Sequence, residues 1–102
     1  MYKLFVTELA HQDLDSIVSY IVVQLANPAA ASDFLDEVDQ CYSYLKSNPM
    51  MYPQCIDIRL EKEGYRKAVI KNYILIYKVD ESTRTVNVMR FFYGARDYEK
   101  LL

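Results

Sequence analysis

A chain of 102 residues with 52% hydrophobic side chains is one small domain with an ordinary core, which excludes both a two-domain enzyme and a disordered tail. A net charge of −2 and a pI of about 5.3 exclude a whole-molecule positive field that draws in nucleic acid, although a local basic patch stays open. The first residues do not read as a secretory leader and no apolar run reaches the ~18 residues of a membrane span, so the expectation is a cytoplasmic protein with no membrane partner.

The charge is unevenly spread. Residues 1–51 carry two lysines against seven carboxylates, a net of −5, and residues 52–102 carry ten cations against seven carboxylates, a net of +3. Ten tyrosines and no tryptophan bring broad contact area with a hydroxyl attached, which suits cores and interfaces alike.

In chain order, residues 2–6 (YKLFV) read as a short strand ended by Thr7, which is also an N-cap candidate with Glu8 at the positive helix end. Leu14, Ile17, Val18, Ile21 and Leu25 then recur at helical spacing and form one apolar stripe. Asn27-Pro28 restarts the pattern, with Asn as cap and Pro at the first helical position. Phe34, Val38, Cys41 and Leu45 carry the second stripe up to Asn48-Pro49. Two such helices joined by one or two residues form an antiparallel hairpin. Asp13, Asp36, Glu37 and Asp39 fall mostly off the stripes and read as its solvated face.

Residues 50–64 (MMYPQCIDIRLEKEG) have no clear period and read as a connection, with a short extended piece over 56–60. Segments 65–70, 73–79 and 85–92 are rich in β-branched and aromatic residues and read as strands. Lys71-Asn72 is a tight hairpin and 80–84 a looser one. The expected fold is α+β in the order β-α-α-β-β-β: a long helical hairpin on one face of a mainly antiparallel sheet, in a single domain over 1–102 with no repeat or low-complexity tract.

On that fold the second sheet face is expected to be free. Alternation places Arg66, Ala68 and Ile70 on one side of the first hairpin strand and Tyr65, Lys67, Val69 and Lys71 on the other. Arg66 and Lys67 then read either as exposed outer-strand residues that discourage edge aggregation or as charge offered to a partner. Arg90 shares its phase with Val86 and Val88, which calls for a bulge or for a buried pair with a residue such as Asp97. His11, Cys41 and Cys55 have no companions at ligand or redox spacing, so they read as structural; no metal, cofactor or disulfide is expected.

The order of LAHQDLDSIVSYI, NPAAASDFLDEV, LKSNPMMYP, YRKAVIKNYILIYKVD and TVNVMRFFYGARDYEKLL resembles the RelE/ParE superfamily of toxins from type II toxin–antitoxin modules, over nearly the whole chain. The resemblance implies a growth inhibitor neutralised by a cognate antitoxin whose extended tail wraps it, without DNA binding of its own. Two targets follow from it. ParE-like relatives inhibit DNA gyrase, whereas RelE-like relatives cut mRNA on the ribosome without metal.

Metal-free cleavage needs a base for the 2′-OH, cations for the phosphorane and an acid for the leaving oxygen. The resemblance offers Arg66, Arg96 and Tyr98 as catalytic residues of that reading. Lys67, Lys71, Arg90 and Tyr93 would bind RNA phosphate or antitoxin. Two departures weigh against an enzyme: Ile74 stands where the arginine of a Y-R-x-x-Y stretch would stand, and Tyr93 stands where many relatives carry histidine. Tyrosine, with an ordinary pKa near ~10, is a poor base at neutral pH. The NP-A-A helix start, the G-A-R-D ending and the low pI lean toward the ParE-like mode. A toxin that has lost its activity and keeps only antitoxin binding is a third reading.

Overall fold

Thr7 both ends the first strand and begins the first helix. The computed structural model describes residues 1–94, and in it Thr7 follows β1 (Lys3–Val6) in extended conformation, with its Oγ1 accepting the Ala10 N–H at 3.1 Å. The same hydroxyl donates to the Met89 carbonyl at 2.9 Å, so the cap also ties the helix to the sheet. Helix α1 (Glu8–Ser19) continues without a break into a π-helical turn, Tyr20–Gln24, closed by the Leu25 N–H on the Tyr20 carbonyl at 3.1 Å. Ala26 at φ 48° reverses the chain. Asn27 then caps α2 (Pro28–Ser47) through the Ala30 N–H, as its sequence signature requires.

The sheet order is β1-β4-β3-β2, with β2 (Tyr65–Ile70), β3 (Tyr73–Asp80) and β4 (Thr85–Tyr93) antiparallel in sequence and β1 parallel to β4. The mainly antiparallel expectation holds, with the parallel pair joining the first strand to the last. Lys71 takes φ 54° in the two-residue hairpin, as a turn of that length demands. The phase conflict at Arg90 is resolved by a bulge: Ile76 pairs with Arg90 and Tyr77 with Val88, leaving Met89 as the extra residue. Val86, Val88 and Phe91 therefore face the helices, while Arg90 and Phe92 turn to the far side.

Between helices and sheet lies the main core, where Phe34, Val38, Cys41 and Leu45 meet Leu75, Tyr77, Val86 and Val88. The far face differs from expectation in two respects. Residues 56–60 are not extended: Ile58–Lys62 form a short helix, α3, capped by Asp57 accepting from the Arg59 and Leu60 N–H groups. Nor is that face free, because Cys55 and Leu60 close over Ile74, Ile76 and Phe92 as a second, smaller core. The reason is in the residues: three large apolar side chains on one sheet face stabilise the fold by roughly 1.5–3 kcal/mol each once covered.

The cover is fastened at its margins. Cys55 N–H donates to the Tyr65 carbonyl and Lys67 N–H to the Pro53 carbonyl, both at 3.1 Å, so the connection pairs with the outer edge of β2. Tyr77 OH donates to the Pro49 carbonyl at 2.6 Å. Among the described residues no helix is long and apolar enough to cross a membrane.

Candidate functional site

The expected site residues do not form one group. Arg66 donates through Nη1 to the Tyr52 carbonyl at 2.6 Å and so holds the α2–α3 connection. Lys67 shares the strand but points to the opposite side, under the same connection. Lys71 Nζ pairs with Glu37 Oε2 at 3.0 Å, with both side chains about half exposed. Arg96 and Tyr98 lie outside the described residues. Position 74, where the nuclease reading needs an arginine, is an isoleucine buried in the second core beside Ile76 and Phe92.

Arg90 and Tyr93 do come together, at the end of β4. Arg90 makes a two-pronged pair with Asp13 of α1: Nε to Oδ2 at 2.7 Å and Nη2 to Oδ1 at 3.1 Å. The partner is thus Asp13, in place of the expected Asp97, which lies outside the described residues. Asp13 Oδ2 also accepts the Phe91 N–H at 3.0 Å, which makes the carboxylate a cap on the β4 edge where β1 has ended. The hydrogen bond to Asp13 pushes the Arg90 pKa up, against a smaller opposing effect of burial. Its guanidinium stacks 4.7 Å above the Phe92 ring. Asp13 is therefore not part of the solvated face, and its side chain, only 18% exposed, is accounted for by this pair.

Beside this pair is a cleft of about 580 Å³ between α1, the π turn and the end of β4, with Ser16, Tyr20, Asn72, Tyr73 and Tyr93 on its walls. Tyr73 and Tyr93 meet edge to face at 5.7 Å. Burial raises the Tyr73 pKa, with smaller upward contributions from Tyr20 and Tyr93, so its hydroxyl is neutral at physiological pH. Single-turn π helices cluster at functional sites because the extra residue re-aims a side chain; here it presents Tyr20, with Val23 and Leu25 exposed beyond it. Asp13, Tyr20 and Asn72 were not singled out by sequence. Only Arg90's phase signalled that some acidic partner had to exist.

In the cleft the Asp13 carboxylate holds three donors, two of them Arg90 nitrogens. No group of three or more metal-ligating side chains occurs among the described residues. His11 is exposed on α1, and Cys41 and Cys55 are both buried and not joined in a disulfide.

A family model described as the ParE toxin of the type II toxin–antitoxin system parDE matches residues 4–98. Among solved structures, the chromosomal ParDE system from P. aeruginosa superposes with a TM-score of 0.72 at 19% identity, covering 91% of this chain and 96% of that one. The RelBE2 toxin–antitoxin complex from Mycobacterium tuberculosis gives 0.58 at 19% identity, over 90% and 96% of the two chains. The archaeal RelE–RelB complex from Pyrococcus horikoshii OT3 gives 0.54 at 13% identity, over 93% and 97%. At these identities the structural likeness speaks for the fold. No curated protein sequence matches the chain.

Proposed function

The chain belongs to the ParE toxin family of type II toxin–antitoxin modules, and from that premise we propose that it arrests growth in the cytoplasm by binding DNA gyrase and blocking it, not by cutting RNA. One observation carries the choice of mode. Where a metal-free nuclease would need a cation, the sheet offers Ile74, 7% exposed and packed with Ile76 and Phe92 beneath Cys55 and Leu60. A phosphorane forming over such a floor would meet hydrocarbon instead of positive charge. Two strand arginines are engaged elsewhere, Arg66 on a backbone carbonyl and Arg90 on Asp13.

A binding toxin needs only a surface, and this chain has two candidates. One is the apolar tip of the helical hairpin around Tyr20, Val23 and Leu25. The other is the stretch of β2 edge that the connection leaves uncovered, where Val69 is 67% exposed and Lys71, at the hairpin, is about half exposed. An acidic extended tail of the cognate antitoxin fits that edge, backbone to backbone and charge to charge.

Supercoiling by purified gyrase tests the reading. Inhibition by the isolated chain, relieved by antitoxin, supports it. Ribosome profiling after brief expression is the counter-test, because cuts in the A site would transfer the assignment to the RNA-cleaving mode with Arg66, Arg96 and Tyr98 as its residues.

A further inference from the structure

β1 bonds to β4 through alternate residues only. The Lys3 N–H donates to the Arg84 carbonyl at 2.9 Å and the Thr7 N–H to the Val88 carbonyl at 3.0 Å, so the parallel register turns Lys3, Phe5 and Thr7 toward β4. The backbone groups of Tyr2, Leu4 and Val6 therefore point outward, away from the sheet. The Tyr2 N–H is taken by the Lys46 carbonyl at the end of α2, at 2.9 Å, and Glu8 already begins α1. Among the described residues, the N–H and C=O groups of Leu4 and Val6 have no hydrogen bond. The side chains of Leu4 and Val6 pack on the main core. Phe5, between them, lies on the far face, outside the second core, and is 57% exposed.

We propose that two copies of this chain pair through β1, antiparallel about a two-fold axis at Phe5, so that their sheets join into one. The pairing uses neither the cleft nor the β2 edge and is independent of how the toxin acts. Its register follows from which groups are unpaired. With Leu4 opposite Val6 of the second copy, each such pair exchanges both backbone bonds, and every unpaired group of the two residues is used. Moving the axis to Leu4 brings in Tyr2, whose N–H is already taken, and moving it to Val6 brings in the helical Glu8. The register that survives sets Phe5 against Phe5 as a non-hydrogen-bonded pair, the kind with the closer side chains. Both rings then leave water on the far face.

Charge and symmetry select a second copy as the occupant. In this register Lys3 lies beside Thr7 of the second copy, one residue from Glu8, so unlike charges approach and Lys3 never meets Lys3. Edge strands are ordinarily guarded by charge; β1 keeps its lysine at the end and shows a phenylalanine within. The same patch serves both copies, so the contact closes at two and does not propagate. A seam this short makes the association weak, at micromolar concentration or above.

Sedimentation of the isolated chain over a roughly hundred-fold range of concentration tests the proposal. The expected result is a shift from one chain to two, with amide exchange of Leu4 and Val6 slowing about tenfold or more across that range. Phe5→Lys sets like charges across the axis and is expected to weaken the dimer about tenfold or more, with the melting temperature of the dilute chain unchanged. Phe5→Cys should give a covalent dimer on mild oxidation, because the Cα atoms of such a pair lie about 4.5 Å apart. Val23→Cys, exposed at the hairpin tip, should stay single, and the native Cys41 and Cys55 are buried. A chain that sediments as a monomer throughout overturns the proposal. So does a dimer that Phe5→Lys leaves intact, or equal cross-linking through Val23→Cys. Protection of Leu4 and Val6 that does not change with concentration overturns it in favour of cover by residues 95–102.

Discussion

The two faces of the sheet are both covered, by different means. The helical face lies under two amphipathic helices, the longer of which buries Phe34, Val38, Cys41 and Leu45 at helical spacing. The far face lies under the connection and its five-residue helix, whose buried side chains over it, among the described residues, are Cys55 and Leu60. A periodic cover distributes its burial over many side chains, whereas an aperiodic one concentrates it in two. The second cover should accordingly be the easier to lift as a unit, even though Leu45 and Leu60 are both 0% exposed.

Truncation tests that contrast. Leu45→Ala is expected to cost about 3–5 kcal/mol and to lower the cooperative melting temperature of the whole domain, measured by calorimetry. Leu60→Ala is expected to cost roughly 2–3 kcal/mol. Its signature should be local: faster amide exchange over 53–62 with β3 and β4 still protected. Equal, global effects from both would show that the two covers unfold together.

Asp13→Ala should follow at roughly 1–3 kcal/mol by denaturant titration, since it leaves Arg90 and the Phe91 N–H without their acceptor. Alkali probes the helical face through its tyrosines. Burial pushes Tyr42 and Tyr52 up to about 12 from an ordinary 10.0. Their folded-state pKa values are raised, so this stability is complete below pH 10 and lost as pH climbs toward 12, when the unfolded chain releases the protons first. Melting temperatures across that range should fall, and Tyr42→Phe should flatten the decline. Lys71→Ala, which breaks only the half-exposed pair with Glu37, should change stability by less than ~0.5 kcal/mol.

What the sequence discloses follows the same division. The helix stripes, the Asn27-Pro28 restart and the Lys71-Asn72 turn are periodic or conformational signals and translate directly into structure. Segment 50–64 holds no period because its helix is a single turn and its burial falls on two residues, Cys55 and Leu60, whose partners Ile74, Ile76 and Phe92 lie beyond the segment, so no pattern within it announces a cover. Arg90 sits between these cases. Its phase with Val86 and Val88 demanded either a bulge or a partner, and the fold supplies both, at Met89 and at Asp13. Asp13 could not be chosen in advance, because the helix places it beside a strand 77 residues later.

The pairing of β1 with β4 has a temporal side. Lys3 to Val6 find their partners only at Thr85 to Val88, so a nascent chain emerging from the ribosome holds β1 unmatched until β4 has been added. Closing so long a loop is slow relative to forming local helices. During synthesis a chain of this toxin family therefore remains an unfinished sheet until β4 is made, and a cognate antitoxin already present has that interval in which to be waiting.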